Sequence, residues 1–348
     1  MNILSKFIIN KKKLLENVKE INHSQICAMV KADAYGHGLE QIVAILKSKV
    51  AFFGVANMFE ALRVRKESSL SKILIVGRCQ DFEEAAKNGI SLTVENKNDL
   101  QELQKFMTNS VFEKINIHLK INTGMNRLGI ATETELQDCI KIIMHSNKIS
   151  LEGVFTHFST LDCDQVFFRK QFAKFKRMTK QIPPLLNPIL HIGGGAVLSQ
   201  LTPDEHRKYM VRVGLILYTF PHQVLSIESE IIKLHDLKPG AKVGYSNGYV
   251  CPKAKKIAVI PLGYADGVNR KLGHSGKVKV KIKGKRASMV GNVCMDMFFV
   301  DVSEINCCIG DKVEVFFNAD LWAKFAGTTT YEILTTLDYR RMKYVVKD

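Results

Sequence analysis

Between about Ile26 and Tyr218 the chain alternates short apolar runs with longer amphipathic stretches, and this period constrains the fold more than any other feature. The runs are Ile26–Val30, Phe52–Val55, Ile73–Val76, Ser91–Val94, Asn116–Ile121, Leu151–Val154, Ile189–Ile192 and Val211–Leu217. Each is short and apolar enough for a strand buried on both faces. Between them lie patterns with helical spacing, such as Leu39–Leu46, Asn98–Phe106, Thr132–His145 and Val166–Lys180. Eight strand–helix units over about 200 residues predict a closed (β/α)8 barrel. An open, doubly wound sheet gives the same alternation, so the period alone leaves both open.

From Ser226 onward the texture changes to short strands punctuated by Gly and Asn: Ala258–Leu262, Val278–Ile282, Ser288–Val290, Met297–Val300 and Val313–Phe316. That predicts a β-rich second domain, a barrel or a sandwich. An opening strand, Ser5–Ile9, precedes the first barrel unit and is close enough in sequence to pair with it. The predicted division is a barrel over residues 10–222 and a β domain over residues 223–348, to which the strand within residues 1–9 is assigned.

The 348 residues, 46% hydrophobic and 24% charged, suffice for two domains with their own cores. No apolar run approaches the roughly 20 residues of a membrane span, and the first residues lack a signal-peptide pattern. A cytoplasmic location is therefore expected. The eight cysteines are scattered, with no C-x-x-C pair, and no histidine cluster has metal-ligand spacing; reduced thiols and no metal are expected. The net charge of +16 raises nucleic acid as a partner. Its carriers, however, alternate with apolar residues, as in Lys277–Ile282, which is the outer face of a strand rather than a base-stacking surface.

Chemistry concentrates in the string Val30-Lys31-Ala32-Asp33-Ala34-Tyr35-Gly36-His37-Gly38. A lysine closing an apolar strand is unusual, because an ammonium is costly to bury unless paired or neutralised. In these barrels the C-terminal strand ends carry the reactive groups. A lysine there with a lowered pKa can condense with a carbonyl cofactor, and the glycines that follow suit a tight turn into a helix.

Read whole, this string resembles the pyridoxal-lysine signature of the alanine racemase family. Further matches follow in order: Lys120–Gly129 (KINTGMNRLG), Thr156-His157-Phe158-Ser159, Val211-Arg212-Val213-Gly214, Val243-Gly244-Tyr245-Ser246, Gly263–Gly267 (GYADG) and Cys294-Met295-Asp296. The resemblance covers nearly the whole chain. It implies a (β/α)8 barrel with a C-terminal β domain, pyridoxal 5'-phosphate as cofactor, alanine as substrate, D-alanine for peptidoglycan as product, and a homodimer with shared sites. Lys31 would carry the cofactor and act as one base, with Tyr245 from the partner subunit as the opposing base. Arg212 would meet the pyridine nitrogen, and His157 would link Arg212 to Tyr245. Arg127 would hold the substrate carboxylate, beside Lys120, which matches a lysine often carbamylated in this family. Tyr35, Gly214, Leu215 and Tyr339 would contact the phosphate. Tyr264, Met295 and Asp296 would line substrate site and entrance. One departure stands out: His191-Ile192-Gly193-Gly194-Gly195 places Gly195 where many members have a phosphate-binding serine, leaving only backbone donors.

A decarboxylase of the same fold, acting on diaminopimelate, ornithine or arginine, is the nearest rival. Such enzymes place a carboxylate at the pyridine nitrogen, against which Arg212 and Tyr245 both speak. A non-catalytic pyridoxal-phosphate carrier is usually a bare barrel, whereas this chain continues for roughly 120 residues.

Overall fold

The computed structural model describes residues 4–160, 163–316, 318–337 and 341–348. The chain divides into two compact units, one of Ile21–Ala34 and Ile42–Leu217, the other of Met1–Glu20, Tyr35–Gln41 and Tyr218–Asp348.

After a first strand β1 (Lys6–Asn10), eight parallel strands close the barrel of the first unit: β2 (Ile26–Met29), β3 (Phe52–Val55), β4 (Lys72–Ile75), β5 (Ile90–Val94), β6 (Ile115–Lys120), β7 (Ile149–His157), β8 (Ile189–Gly193) and β9 (Met210–Val213). β2 pairs with both β3 and β9, which completes the ring. Helices on the outside and side chains inside leave β2, β3 and β5 buried along their whole length, hence their unbroken apolar runs. The helices begin where short polar side chains can cap them. Asn57, Asn96, Thr132 and Asp164 each accept a hydrogen bond from the backbone N–H three residues on. The last run falls short of its predicted length. β9 ends at Val213, and Leu215–Thr219 is helical, with Leu217 N–H donating to the Gly214 carbonyl. An apolar run continuing past a glycine does not by itself separate strand from buried helix.

The second unit contains a nine-stranded sheet. Its strands are β1, β10 (Leu225–Glu230), β11 (Lys233–Leu237), β14 (Lys255–Ile260), β15 (Lys279–Ile282), β16 (Lys285–Val290), β17 (Phe298–Asp301), β18 (Lys312–Phe316) and β19 (Lys343–Lys347), in the spatial order β11-β14-β17-β16-β15-β18-β10-β1-β19. A short hairpin, β12 (Lys242–Val243) with β13 (Tyr249–Val250), packs through Val243 onto Cys251, Ile257 and Val290. The unit is thus β-rich, as expected, with its strands in one nine-stranded sheet and the short hairpin. Its helices Ala319–Ala326 and Thr330–Thr335 were not anticipated. β1 does not pair with the barrel; it lies antiparallel to β10 and parallel to β19. A closed barrel offers no edge for a further strand. Along β15 the lysines face outward while Val280 and Ile282 are buried, and Lys255 and Lys283 pair with Asp301 and Asp311. All eight cysteines are free. Among the described residues no helix is long and apolar enough to cross a membrane, and no cluster of metal-ligating side chains occurs.

Two glycines show how tightly the barrel interior is filled. A Cβ at Gly153 would lie 2.2 Å from Nδ1 of the fully buried His118, whereas one at Gly54 would meet the flexible end of Met29 at 2.5 Å. Gly153→Ala should therefore destabilise the fold by about 1–3 kcal/mol and by more than Gly54→Ala does, since overpacking against a fixed ring has no easy relief. Equal denaturation midpoints for the two variants would contradict this reading of the core.

Candidate active site

Lys31 follows the C-terminal end of β2 and opens a helical turn, Lys31–Gly36. The turn is left-handed: Ala32, Asp33, Ala34 and Tyr35 have φ of 52°, 52°, 54° and 55°. Four consecutive non-glycine residues in this region cost roughly 1–2 kcal/mol each, so the surroundings must impose the conformation. The glycines of the string predict a tight turn, but its left-handed part is carried by Ala32, Ala34 and Tyr35, which show no such preference, together with Asp33.

The imposing groups come from the helix Met58–Glu67. The buried Glu60 carboxylate accepts from the backbone N–H of Ala32 at 2.7 Å and of Ala56 at 2.7 Å, tying the end of β2 to the end of β3. Three residues along the same helix, Arg63 pairs with Asp33 at 2.7 Å. Neither Glu60 nor Arg63 was singled out from the sequence. Asn57-x-x-Glu60 carries a helix-capping signal, and Asn57 does cap the Glu60 N–H. The carboxylate serves the neighbouring turn as well.

Lys31 itself is half-buried. Burial lowers the pKa of its ammonium, the Arg127 guanidinium lowers it further, Glu60 opposes the shift, and Arg212 adds to it. The result is an amine biased toward its nucleophilic form.

Arg127 projects from a loop whose shape is locally determined. Ile121 and Ile130 bridge its ends, and the Asn122 side chain accepts from Gly124 N–H and Asn126 N–H, each at 3.1 Å. Arg127 is left exposed at the tip. Lys120, last residue of β6, is buried and donates to Glu95 at 3.1 Å. Register pairs Val94 with Leu119, which places Glu95 directly beside Lys120. Glu95 also went unnoticed in the sequence, since only strand neighbourhood reveals it.

His157 ends β7 and Arg212 lies on β9, with Gly193 of β8 in register between them. A Cβ at Gly193 would meet Arg212 Nη2 at 2.3 Å and His157 Nδ1 at 2.5 Å, so the bare glycine lets both side chains close over it. Burial, reinforced by Arg212, Arg127, Lys31 and Lys120, pushes the His157 pKa down to about 3, which keeps its ring neutral. Arg212 is buried over the Phe155 ring, and burial brings its pKa down to about 10. Its hydrogen bonds run to His191 Nδ1 at 3.1 Å and to the Thr156 carbonyl at 2.6 Å, rather than to His157 as the sequence reading had it. His191 on the adjacent strand and the Thr156 carbonyl take up these donors, while the His157 ring lies across Gly193 from the guanidinium. Ile216 explains the missing serine at Gly195: a Cβ there would lie 2.6 Å from its Cγ2. Gly194 turns the chain at φ 114°, and Gly214 and Leu215 follow β9.

The remaining candidates belong to the second unit. Tyr35 is buried against Tyr218 and Tyr331, with ring centroids 5.4 and 6.0 Å away. Tyr245 opens a short 3-10 turn and is 69% exposed, with its carbonyl accepting from Asn292. Tyr264 and Met295 are neighbours through the Tyr264 N–H to Cys294 and Ala265 N–H to Met295 bonds. Asp296 pairs with Arg341, which also reaches Asp266. Tyr339 lies outside the described residues.

Residues 7–221 match the family model for the alanine racemase N-terminal domain, and residues 224–345 match that for its C-terminal domain. The chain belongs to the alanine racemase family. It is 35% identical to alanine racemase of Fusobacterium nucleatum, covering 97% of this chain and 98% of that one. With alanine racemase of Clostridium kluyveri the figures are 30%, 97% and 93%. Among solved structures, alanine racemase of Clostridium difficile 630 superposes with a TM-score of 0.89 at 30% identity, covering 100% and 97% of the two chains. A histidine racemase from Leuconostoc mesenteroides shares the fold, with a TM-score of 0.89 at 21% identity. As a member of the alanine racemase family the chain is an amino-acid racemase, an isomerase, and the decarboxylase reading falls away.

The left-handed turn gives a direct test. Ala32 is exposed, where substitutions usually change stability by no more than about 0.5 kcal/mol. Ala32→Val should nonetheless cost more than about 1 kcal/mol, because a β-branched residue is strained at φ 52°. Ala32→Gly should be neutral or stabilising in the same chemical denaturation series, and the reverse order would refute the left-handed assignment.

Proposed function

We propose that this racemase uses pyridoxal 5'-phosphate to interconvert L- and D-alanine, and that it works as a homodimer supplying D-alanine for peptidoglycan. The observation that carries the reading is the Lys31 amine, biased toward its neutral form at a C-terminal strand end and ringed by Arg127, Arg212, His157 and Lys120. The donor set suits an anionic aldehyde cofactor. It offers an amine for the carbonyl, arginine for a ring nitrogen, and, in the turns that follow β8 and β9, backbone N–H groups for a phosphate. Leu215 N–H, Tyr35 and Tyr339 complete the proposed phosphate contacts. Bound pyridoxal phosphate supplies the electron sink that makes the Cα–H of an amino acid acidic.

The chain's own groups do the rest. Arg127 on its loop tip holds the substrate carboxylate, for which a planar guanidinium is shaped. Lys120, held by Glu95 as an ion pair, stands beside that loop, at the position of the lysine that is often carbamylated in the family. Arg212 cannot release a proton, so a ring nitrogen facing it stays unprotonated. Lys31 Nζ takes or returns the proton on one face of Cα. The partner subunit's Tyr245 does so on the other, in keeping with the exposure of this phenol in a single chain. Two bases on opposite faces invert the centre directly. Met295, Tyr264 and Asp296 would line the approach to the site, and restrict the side chain admitted.

A racemisation assay on purified protein across several amino acids, with and without added pyridoxal phosphate, tests the reading: activity should be greatest with alanine and depend on the cofactor. Tyr245→Phe should lower turnover about 10²–10⁴-fold, the usual scale for a lost general base, and should suppress solvent-proton exchange from one alanine enantiomer far more than from the other. Small and equal losses for both enantiomers would remove Tyr245 from the chemistry.

A further inference from the structure

Below the site, four successive strands contribute one polar residue each to a continuous chain that is buried as far as His118 and ends at the partly exposed Glu152. Arg212 Nη1 on β9 meets His191 Nδ1 on β8 at 3.1 Å. His191 Nε2 meets His118 Nδ1 on β6 at 2.7 Å, and His118 Nε2 meets Glu152 Oε2 on β7 at 3.2 Å. Both imidazoles are wholly buried. Glu152 also accepts from Ser91 Oγ at 2.5 Å on Oε2 and from Lys72 Nζ at 2.8 Å on Oε1. Lys72 and Ser91 stand at the beginnings of β4 and β5, so the chain runs from the catalytic mouth to the opposite end of the barrel.

The donor inventory allows one proton arrangement. A guanidinium has donors only, so His191 Nδ1 must be bare and its hydrogen must sit on Nε2. That hydrogen points at His118 Nδ1, which must be bare in turn, so the His118 hydrogen also sits on Nε2 and donates to Glu152. Every bond then points the same way, from Arg212 to the carboxylate. The chain is not a proton conduit, because arginine at its upper end does not deprotonate. Burial holds both histidines below their usual pKa, with Glu152 opposing this at His118 and the His118 and Arg212 charges reinforcing it at His191. Glu152 stays ionised, with a pKa of about 2: burial raises it, and the hydrogen bonds from His118, Lys72 and Ser91 outweigh that. The barrel is shaped for this chain at both ends, since Gly153 and Gly193 leave the space that His118 and Arg212 occupy.

We propose that Glu152 is a positioning residue for Arg212: through His118 and His191 it fixes the imidazole tautomers that let Arg212 donate inward and hold its guanidinium in place. The consequence for turnover rests on the function proposed above, whereas the tautomers do not.

Glu152→Gln separates the two. Lys72 is a donor only, so the amide oxygen turns toward it and the amide NH2 toward His118. For His118 to accept from that NH2, it and His191 both carry hydrogen on Nδ1, which replaces the Arg212–His191 hydrogen bond by two opposed N–H groups. Long-range proton–nitrogen correlation spectra of the wild-type protein should show both histidines neutral and protonated on Nε2, with or without cofactor. In Glu152→Gln both should switch to Nδ1–H, and kcat for alanine should fall about tenfold or more, the scale of one charge-assisted hydrogen bond, with KM little changed. Adding Lys72→Met frees the amide to turn its oxygen to His118, so the double variant should regain the wild-type tautomers and most of the lost kcat. Either histidine protonated on Nδ1 in the wild type would overturn the relay, even if the variants fail to fold. Switched tautomers with unchanged kcat in an active racemase would overturn the positioning role, as would a kcat loss that the second substitution does not restore.

Discussion

The site depends on one buried carboxylate. Glu60 receives the backbone N–H groups of Ala32 and Ala56, and with the Arg63–Asp33 pair it holds four non-glycine residues in a left-handed turn directly after Lys31. A turn of this kind costs about 4–8 kcal/mol at 1–2 kcal/mol per residue. Two hydrogen bonds to a charged acceptor contribute about 3–6 kcal/mol, at 1.5–3 kcal/mol each. The two sums are comparable once the ion pair is included, so the conformation is sustained by its neighbours and not by local preference. The strain keeps Lys31 at the strand end, with no regular helix to carry it away over the rim.

The charges at this mouth are nearly all positive. Lys31, Arg127, Arg212 and Lys120 act on one another or on His157, and each suppresses protonation of its neighbours. The nearby carboxylates, Glu60 and Glu95, are buried and already engaged by backbone N–H groups or by Lys120. The remaining positive potential suits a doubly anionic phosphate and a carboxylate, and it also favours a neutral lysine and a neutral histidine. Recognition of an anionic cofactor and activation of the amine thus have one electrostatic cause.

Much of the barrel was legible because its strands are buried on both faces and its helices carry polar caps. The run Val211–Leu217 misled because burial, not strand geometry, is what a continuous apolar stretch reports. In the second unit the helix Ala319–Ala326 had its own signals, an Asn318 cap and Gly327 at φ 72°, hidden among strand-like neighbours. At the site, the ordered motifs pointed to Lys31, Arg127, His157 and Arg212, which the barrel brings within electrostatic reach of one another. Their supports were not legible. Glu152 and His118 lie on different strands and Glu95 just past the end of β5, and only register makes them partners of one another or of Lys120. The left-handed turn was invisible for a related reason: Ala32 and Ala34 do not favour that conformation, and Glu60, twenty-eight residues from Ala32, imposes it.

The account turns on Lys31 being the residue that carries the cofactor. Borohydride treatment of the protein loaded with pyridoxal phosphate, followed by peptide mapping, tests this directly. The label should be found on Lys31 and should be lost in Lys31→Ala. Label recovered on another lysine of the cofactor-dependent active enzyme, with Lys31 unmodified, would contradict it.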